Sequence, residues 1–179
     1  MSIKMLHKSK LAIIIIFILS NIQVYALSMQ ERTEILSAHN QMRDKLRLPR
    51  LKWSNELASV AKDWVYTLQE NYQCRMMHSR IPGLGENLYW GSPVRYGAGR
   101  KGVQKVSPSE VVGLWGNERK YYNHDSNRCA FGKVCGHYTQ LIWRDTTEVG
   151  CAKIICPDKS QVWSCNYNPP GNYRGQRPY

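Results

Sequence analysis

The side chains here with nucleophilic, ligating or proton-transfer chemistry are six cysteines, five histidines and a scatter of carboxylates. The cysteines are Cys74, Cys129, Cys135, Cys151, Cys156 and Cys165. An even count without any tight C-x-x-C pair points to three disulfides rather than a zinc cluster. Six thiols allow 15 pairings, and spacing by itself favours only the local loop Cys129 with Cys135. The metalloprotease pattern H-E-x-x-H is absent, and no serine stands in a nucleophile elbow. Among the acids, Glu118 follows Val111, Leu114 and Trp115 at helical spacing, which sets a carboxylate beside apolar groups. An acid so placed needs a partner: a cation, an imidazolium or a metal. His137 reads as a strand residue sharing a face with Thr139 and Leu141, while Tyr138, Gln140 and Ile142 point the other way. His39 lies on the apolar side of a helix and reads as a core histidine; His124 reads as a surface loop residue.

Three helix starts are written into the chain. Ser28-Met29-Gln30-Glu31 is a capping box ahead of Ile35, Leu36, His39 and Arg43, so a helix is expected from about Met29 to Leu46, stopped by Pro49. Ser54 caps a second helix, whose stripe Leu57, Ala61, Trp64 and Leu68 runs to about Tyr72. Ser107-Pro108-Ser109-Glu110 starts a third, reaching about Tyr121. Downstream, Tyr138–Trp143, Val149–Cys156 and Gln161–Tyr167 are rich in β-branched and aromatic residues and read as strands. The last two flank Pro157-Asp158-Lys159-Ser160 as a hairpin, and Leu88–Gly91 offers another strand. The pattern is helices on both sides of a small antiparallel sheet. Between Trp90 and Ser107, the segment Gly91–Val106 is basic and glycine-rich, with Arg95, Arg100, Lys101, Lys105 and Tyr96. It reads as a mobile surface insertion; a grip on an anionic partner is the sharper alternative.

Lys4, Lys8 and Lys10, the apolar run Leu11–Leu19 and the small residue Ala26 read as a secretory signal peptide cut after Ala26, leaving one domain over 27–179. The apolar run is far short of the roughly 20 residues a membrane-spanning helix needs. Loss of the leader's three lysines takes the net charge from +12 to +9. So basic a chain is drawn to acidic polysaccharide, phospholipid headgroups or microbial envelopes. Nucleic acid fits the sign of the charge, but an exported chain rarely meets it and no recognition motif is present.

Three blocks carry a resemblance: Gly136-His137-Tyr138-Thr139-Gln140-Leu141-Ile142-Trp143, Gly150-Cys151-Ala152, and Cys165-Asn166-Tyr167-Asn168-Pro169-Pro170-Gly171-Asn172-Tyr173. In this order they resemble the cysteine-rich secretory, antigen 5 and pathogenesis-related superfamily, and within it the plant pathogenesis-related group 1 proteins. The resemblance implies an α+β fold, a three-layer α-β-α sandwich around the sheet, and adds the pairings Cys74 with Cys156 and Cys151 with Cys165. It also groups four residues that spacing alone does not: His78, Glu86, Glu118 and His137, implied to line one cleft able to hold a divalent metal such as zinc. Imidazole with carboxylate suits such ions. A hydrogen-bonded polar plug that stabilises the fold is the alternative use of the same four. The link His78–Glu86 is slightly longer than the group 1 pattern and sets Arg80 at the rim, which leaves open which ion is preferred.

The resemblance implies secretion to the apoplast or vacuole and a role in defence. Binding of a sterol or other membrane lipid is the favoured mode, in a groove that Trp90, Trp115, Tyr121 and Tyr122 could line. Antimicrobial action by a monomer without catalysis follows; a metal-dependent hydrolase is the main alternative. A third use is release of a signalling peptide starting at Pro169. Asn168 stands where the family's usual residue is Asp, which weakens that reading, and a tail packed over the hairpin by Tyr173 and Tyr179 is favoured.

Overall fold

The computed structural model describes residues 26–179; the leader read from residues 1–26 lies outside the described residues apart from Ala26. The helix starts behave as their capping residues dictate. The Ser28 hydroxyl accepts the Glu31 amide and the Glu31 carboxylate accepts the Ser28 amide, opening α1 (Met29–Asp44). Ser54 caps α2 (Asn55–Tyr72). Its buried stripe is Leu57, Ala61, Val65 and Leu68, with Val65 in place of Trp64, whose indole N–H donates to the Met77 carbonyl at 2.9 Å. A second capping box, Ser107 with Glu110, opens α3 (Pro108–Gly116). The helix read through to Tyr121 tightens after Gly116 into a 3₁₀ turn, Asn117–Tyr121.

The main sheet has four strands: β1 (Lys52–Trp53), β2 (Gly85–Gly91), β7 (Glu148–Ile155) and β8 (Gln161–Asn168), in the order β1-β7-β8-β2. All pairs are antiparallel except the two-residue β1, which runs parallel to β7. Alternation splits the sheet between two cores. Ala152, Ile154, Cys156 and Val162 pack with Ala61, Val65 and Leu68 of α2 on one face. Val149, Cys151, Trp163, Cys165 and Tyr167 pack with Ile35, Val111, Trp115, Tyr138 and Leu141 on the other. The α-β-α sandwich is thus the direct outcome of a sheet apolar on both sides. The three disulfides are Cys74–Cys156, Cys129–Cys135 and Cys151–Cys165, with no cysteine left free among the described residues.

The Gly150-Cys151-Ala152 block has a packing reason. A Cβ on Gly150 would sit 2.2 Å from the Ala58 amide nitrogen and 2.5 Å from the Ser54 carbonyl oxygen, so only glycine lets the start of α2 lie on β7. Backbone atoms cannot swing aside. Gly150→Ala is expected to lower stability by about 1–3 kcal/mol in urea unfolding. Gly113→Ala, at an open position inside α3, is expected to raise it by up to about 1 kcal/mol. A Gly150→Ala protein as stable as the parent would refute this packing.

Two readings need correction. Gly91–Val106 is not a featureless loop: it folds into the hairpin β3 (Val94–Arg95) and β4 (Lys101–Gly102), and the Gln161 side-chain amide donates to the Gln104 carbonyl at 2.7 Å to fasten it to the sheet. Beyond the smaller hairpin β5 (Tyr122–Asn123) with β6 (Arg128–Cys129), the run Tyr138–Trp143 is not a strand. Gly136–Leu141 is a helix, α4, followed by Ile142 and Trp143 in irregular backbone. Its composition favours a strand, but charges from elsewhere hold both of its ends. The Glu118 carboxylate accepts the amides of His137 and Tyr138 at its N-terminus, and Arg43 donates to the Leu141 and Trp143 carbonyls at its C-terminus. An acid at the amide end and a guanidinium at the carbonyl end match the helix dipole and satisfy groups a short helix leaves open.

Candidate functional site

His137 stands in the first turn of α4, where Glu118 of the 3₁₀ turn meets it. Glu118 Oε1 lies 2.6 Å from His137 Nδ1, while Oε2 accepts the His137 and Tyr138 amides at 3.0 and 3.1 Å. Burial alone would raise the Glu118 carboxyl, but the bonds from the His137 ring and from the two amides outweigh it and hold the group below its ordinary range. A carboxylate so held only accepts, so His137 Nδ1 carries the proton and its Nε2 is left for other use. The partner that the apolar setting of Glu118 demands is therefore an imidazole plus the end of a helix.

The second pair repeats the device on β2. His78 Nδ1 lies 2.7 Å from Glu86 Oε1, which also accepts the Ser79 amide at 3.0 Å. Glu86 Oε2 is buried and has no hydrogen-bond partner among the described residues. The His78 side chain is 57% exposed against 25% for His137, so His78 is the more accessible of the two rings. The hydrogen bond to Glu86 raises the His78 pKa above its ordinary 6.5 against the opposing effect of burial. A raised folded-state value adds stability that is fully present below pH 6.5 and is lost as pH climbs through the folded-state value. In metal-free protein the His78 ring is expected to titrate by NMR above 6.5 and to fall back in Glu86→Gln. A parental midpoint at or below the ordinary value would dissolve the pair.

The four residues form two histidine–carboxylate pairs, His78 with Glu86 and His137 with Glu118. Among the described residues no group of three or more His, Cys, Asp or Glu side chains is disposed to hold a metal ion. What links the pairs is Asn87, a residue the sequence reading passed over although it adjoins Glu86. Its amide donates to the His137 carbonyl at 3.1 Å and to the Tyr167 hydroxyl at 3.2 Å. The chain of bonds continues inward: Tyr167 meets His39 Nε2 at 2.9 Å, and His39 Nδ1 donates to the Ile35 carbonyl at 2.7 Å. His39 is wholly buried, and that burial pulls its pKa down to about 4, so it sits in the core as a neutral ring. The Trp115 ring stacks on His137 at 6.2 Å and meets His39 edge-on at 6.3 Å. The floor of the site is thus a rigid polar and aromatic array.

Other expectations fare variously. His124 stands in the β5–β6 turn with its side chain 38% exposed, as read, and it also stacks on Tyr179 at 4.5 Å with its Nε2 donating to the Tyr179 carbonyl. The tail is docked, but on α4 and the β5–β6 turn rather than over the β7–β8 hairpin. Asn172 bonds Thr139 and the Gly136 carbonyl, the Gly171 amide donates to Gln140, and Arg177 donates to the carbonyls of His124 and Asp125. The four aromatics do not form one groove. Trp115 is a core residue with its indole N–H on the Leu88 carbonyl, Trp90 is exposed on β2, and Tyr122 lines a cavity of about 310 Å³ beneath the tail. A second cavity, of about 930 Å³, lies along α1 beside Ser109, lined by Met29, Thr33, Glu34, Ala38 and Gln41.

Comparison with known proteins agrees with this architecture. The profile of the cysteine-rich secretory protein (CAP) family matches residues 36–167. Pathogenesis-related protein 1A of Nicotiana tabacum is 41% identical over 146 residues, 82% of this chain and 79% of its own. Pathogenesis-related protein 1 of Arabidopsis thaliana is 36% identical over 176 residues, 98% of this chain and 99% of its own. Among solved structures, venom allergen-like protein 4 of Schistosoma mansoni superposes with a TM-score of 0.62 at 25% identity, covering 86% of this chain and 95% of the other. NaASP2, solved with Zn²⁺, superposes with a TM-score of 0.62 at 21% identity over 86% of this chain and 87% of its own, a likeness of fold alone. With its sandwich, three disulfides and paired His–Glu site, the chain belongs to the cysteine-rich secretory protein family and to its plant pathogenesis-related protein 1 branch.

Proposed function

We propose that this is a secreted plant defence protein, exported by a leader cut after Ala26 to the apoplast or vacuole, where it acts as a monomer by binding membrane sterol or lipid. The similarity to pathogenesis-related proteins over most of the chain supports the defence role. The observation that carries binding over catalysis is the immobilisation of both acids. Glu118 accepts three hydrogen bonds through both of its oxygens, and Glu86 accepts two through Oε1 while its Oε2 is buried away from solvent, so neither is poised to take a proton from an attacking water. Uptake of a sterol by the purified protein should be saturable; uptake no greater than that of a denatured control would end the proposal.

A divalent ion such as zinc fits the donor chemistry of the cleft in a limited way. His78 and His137 would hold it through Nε2, with Glu86 and Glu118 orienting the rings from behind, an arrangement common around imidazole ligands. The ion would supply a positive centre for an anionic headgroup. With no third protein donor grouped there among the described residues, the site should be weak and exchangeable. Calorimetry of chelated protein with added zinc should show heat that disappears in His78→Ala, while no heat in the parent would remove the metal. The bonds from Gly171, Asn172 and Arg177 favour a retained tail over a released peptide.

A further inference from the structure

Apart from the two His–Glu pairs, the most exposed apolar side chain among the described residues is not on any helix or strand. Cys129–Cys135 closes a loop, Ala130-Phe131-Gly132-Lys133-Val134, whose tip Phe131 is 103% exposed, with Val134 at 61%. The loop is built to hold that tip outward. The Ala130 amide donates to the Tyr121 carbonyl at 2.8 Å, the Lys133 amide to the Ala130 carbonyl at 3.0 Å, and Gly132 takes φ +69° in the tight turn between them. A phenylalanine held fully in solvent on a doubly fastened loop buries no apolar surface of its own.

The surround is cationic. Ser126–Gly136 contains Arg128 and Lys133 and no acid, and exposed Arg119 and Lys120 adjoin it. Lys120 and Lys133 converge on the face of Tyr121, with their ammonium nitrogens 4.9 and 5.1 Å from the ring centre. Neither forms an ion pair among the described residues, so both charges remain available. The exposed acid of this region, Asp125, sits at the opposite end of the β5–β6 hairpin.

We infer that the Cys129–Cys135 loop is a membrane-docking finger, with Phe131 and Val134 entering the interface of an anionic phospholipid bilayer while Lys120, Lys133, Arg119 and Arg128 engage its headgroups. An apolar tip within a cationic collar matches the chemistry of such an interface. Cys135 precedes His137 by two residues and Lys120 follows Glu118 by two, so docking carries the Glu118–His137 pair to the lipid surface. This deepens the lipid reading above without needing sterol, and sterol-free vesicles keep the two separable.

The test is co-sedimentation of the purified protein with vesicles of phosphatidylcholine alone or mixed with phosphatidylglycerol. Binding is expected only to the mixed vesicles. Phe131→Ser should weaken it about tenfold or more with an unchanged unfolding midpoint, and Lys120→Gln with Lys133→Gln should weaken it at least about fivefold. Arg95→Gln with Lys101→Gln, the same charge removed from the β3–β4 hairpin, should change it far less. Absence of binding by the parent, a Phe131→Ser protein that binds unchanged, or equal loss in the hairpin variant would each overturn the inference. Self-association that depends on Phe131, without vesicle binding, would assign the loop to a second copy of the chain instead.

Discussion

Replacing Arg43 by alanine is expected to destabilise the protein by about 3–5 kcal/mol, the cost of breaking a buried charged network on one side. Arg43 is completely buried, and each of its five N–H groups donates to a carbonyl: Pro49, Leu141, Trp143, Arg144 and Thr146. Removing it takes a donor from the buried Leu141 and Thr146 carbonyls and from the partly buried Pro49 and Arg144 carbonyls, while the Trp143 carbonyl keeps only the Thr146 amide at 3.2 Å. Burial lowers the guanidinium pKa to about 10, so the group stays charged at neutral pH and complements the carbonyl end of α4. Arg43→Lys keeps the charge but brings three donors to five carbonyls, and should recover only part of the loss. Urea unfolding followed by tryptophan fluorescence decides it. A loss below about 1 kcal/mol for the alanine variant would mean water replaces the guanidinium.

The bridge Cys74–Cys156 is expected to contribute nearly as much, and by a different route. It closes a separation of 82 residues and ties the second residue after α2 to the residue just after β7, whereas Cys129–Cys135 closes a separation of 6. On the loop-entropy account the long closure is worth about 4.5 kcal/mol and the short one roughly half that. Replacing both Cys74 and Cys156 by serine should therefore lower stability markedly more than the same change at Cys129 and Cys135. Equal losses would show that native packing around the sulfurs, rather than the freedom of the unfolded chain, dominates.

The parts of the fold that were legible in the chain are those whose causes are local. Ser28 with Glu31 and Ser107 with Glu110 start helices by bonds made within the same turn, and the β7–β8 hairpin follows from period and turn residues. What misled the reading of Tyr138–Trp143 as a strand is that α4 is held from outside: Glu118 stands 19 residues from His137, and Arg43 stands 98 residues from Leu141. No window of neighbouring residues contains either bond. The site followed the same rule. The helical stripe through Val111 and Trp115 marked Glu118 as an acid in need of a partner, but that His137 is the partner was implied only by resemblance. Asn87, which joins β2 to α4, gave no signal, because an asparagine inside a strand declares itself only through the groups that face it.

If the two acids hold rings in place and move no protons for a reaction, the side chain at Glu118 can lose its charge without loss of ligand. The decisive measurement is equilibrium sterol uptake by the parent and by Glu118→Gln, side by side, with a hydrolytic assay on both. Saturable uptake retained in Glu118→Gln, with no turnover in the parent for the variant to lose, is the predicted result. Turnover in the parent that vanishes in Glu118→Gln, together with no saturable sterol uptake by either protein, would contradict it.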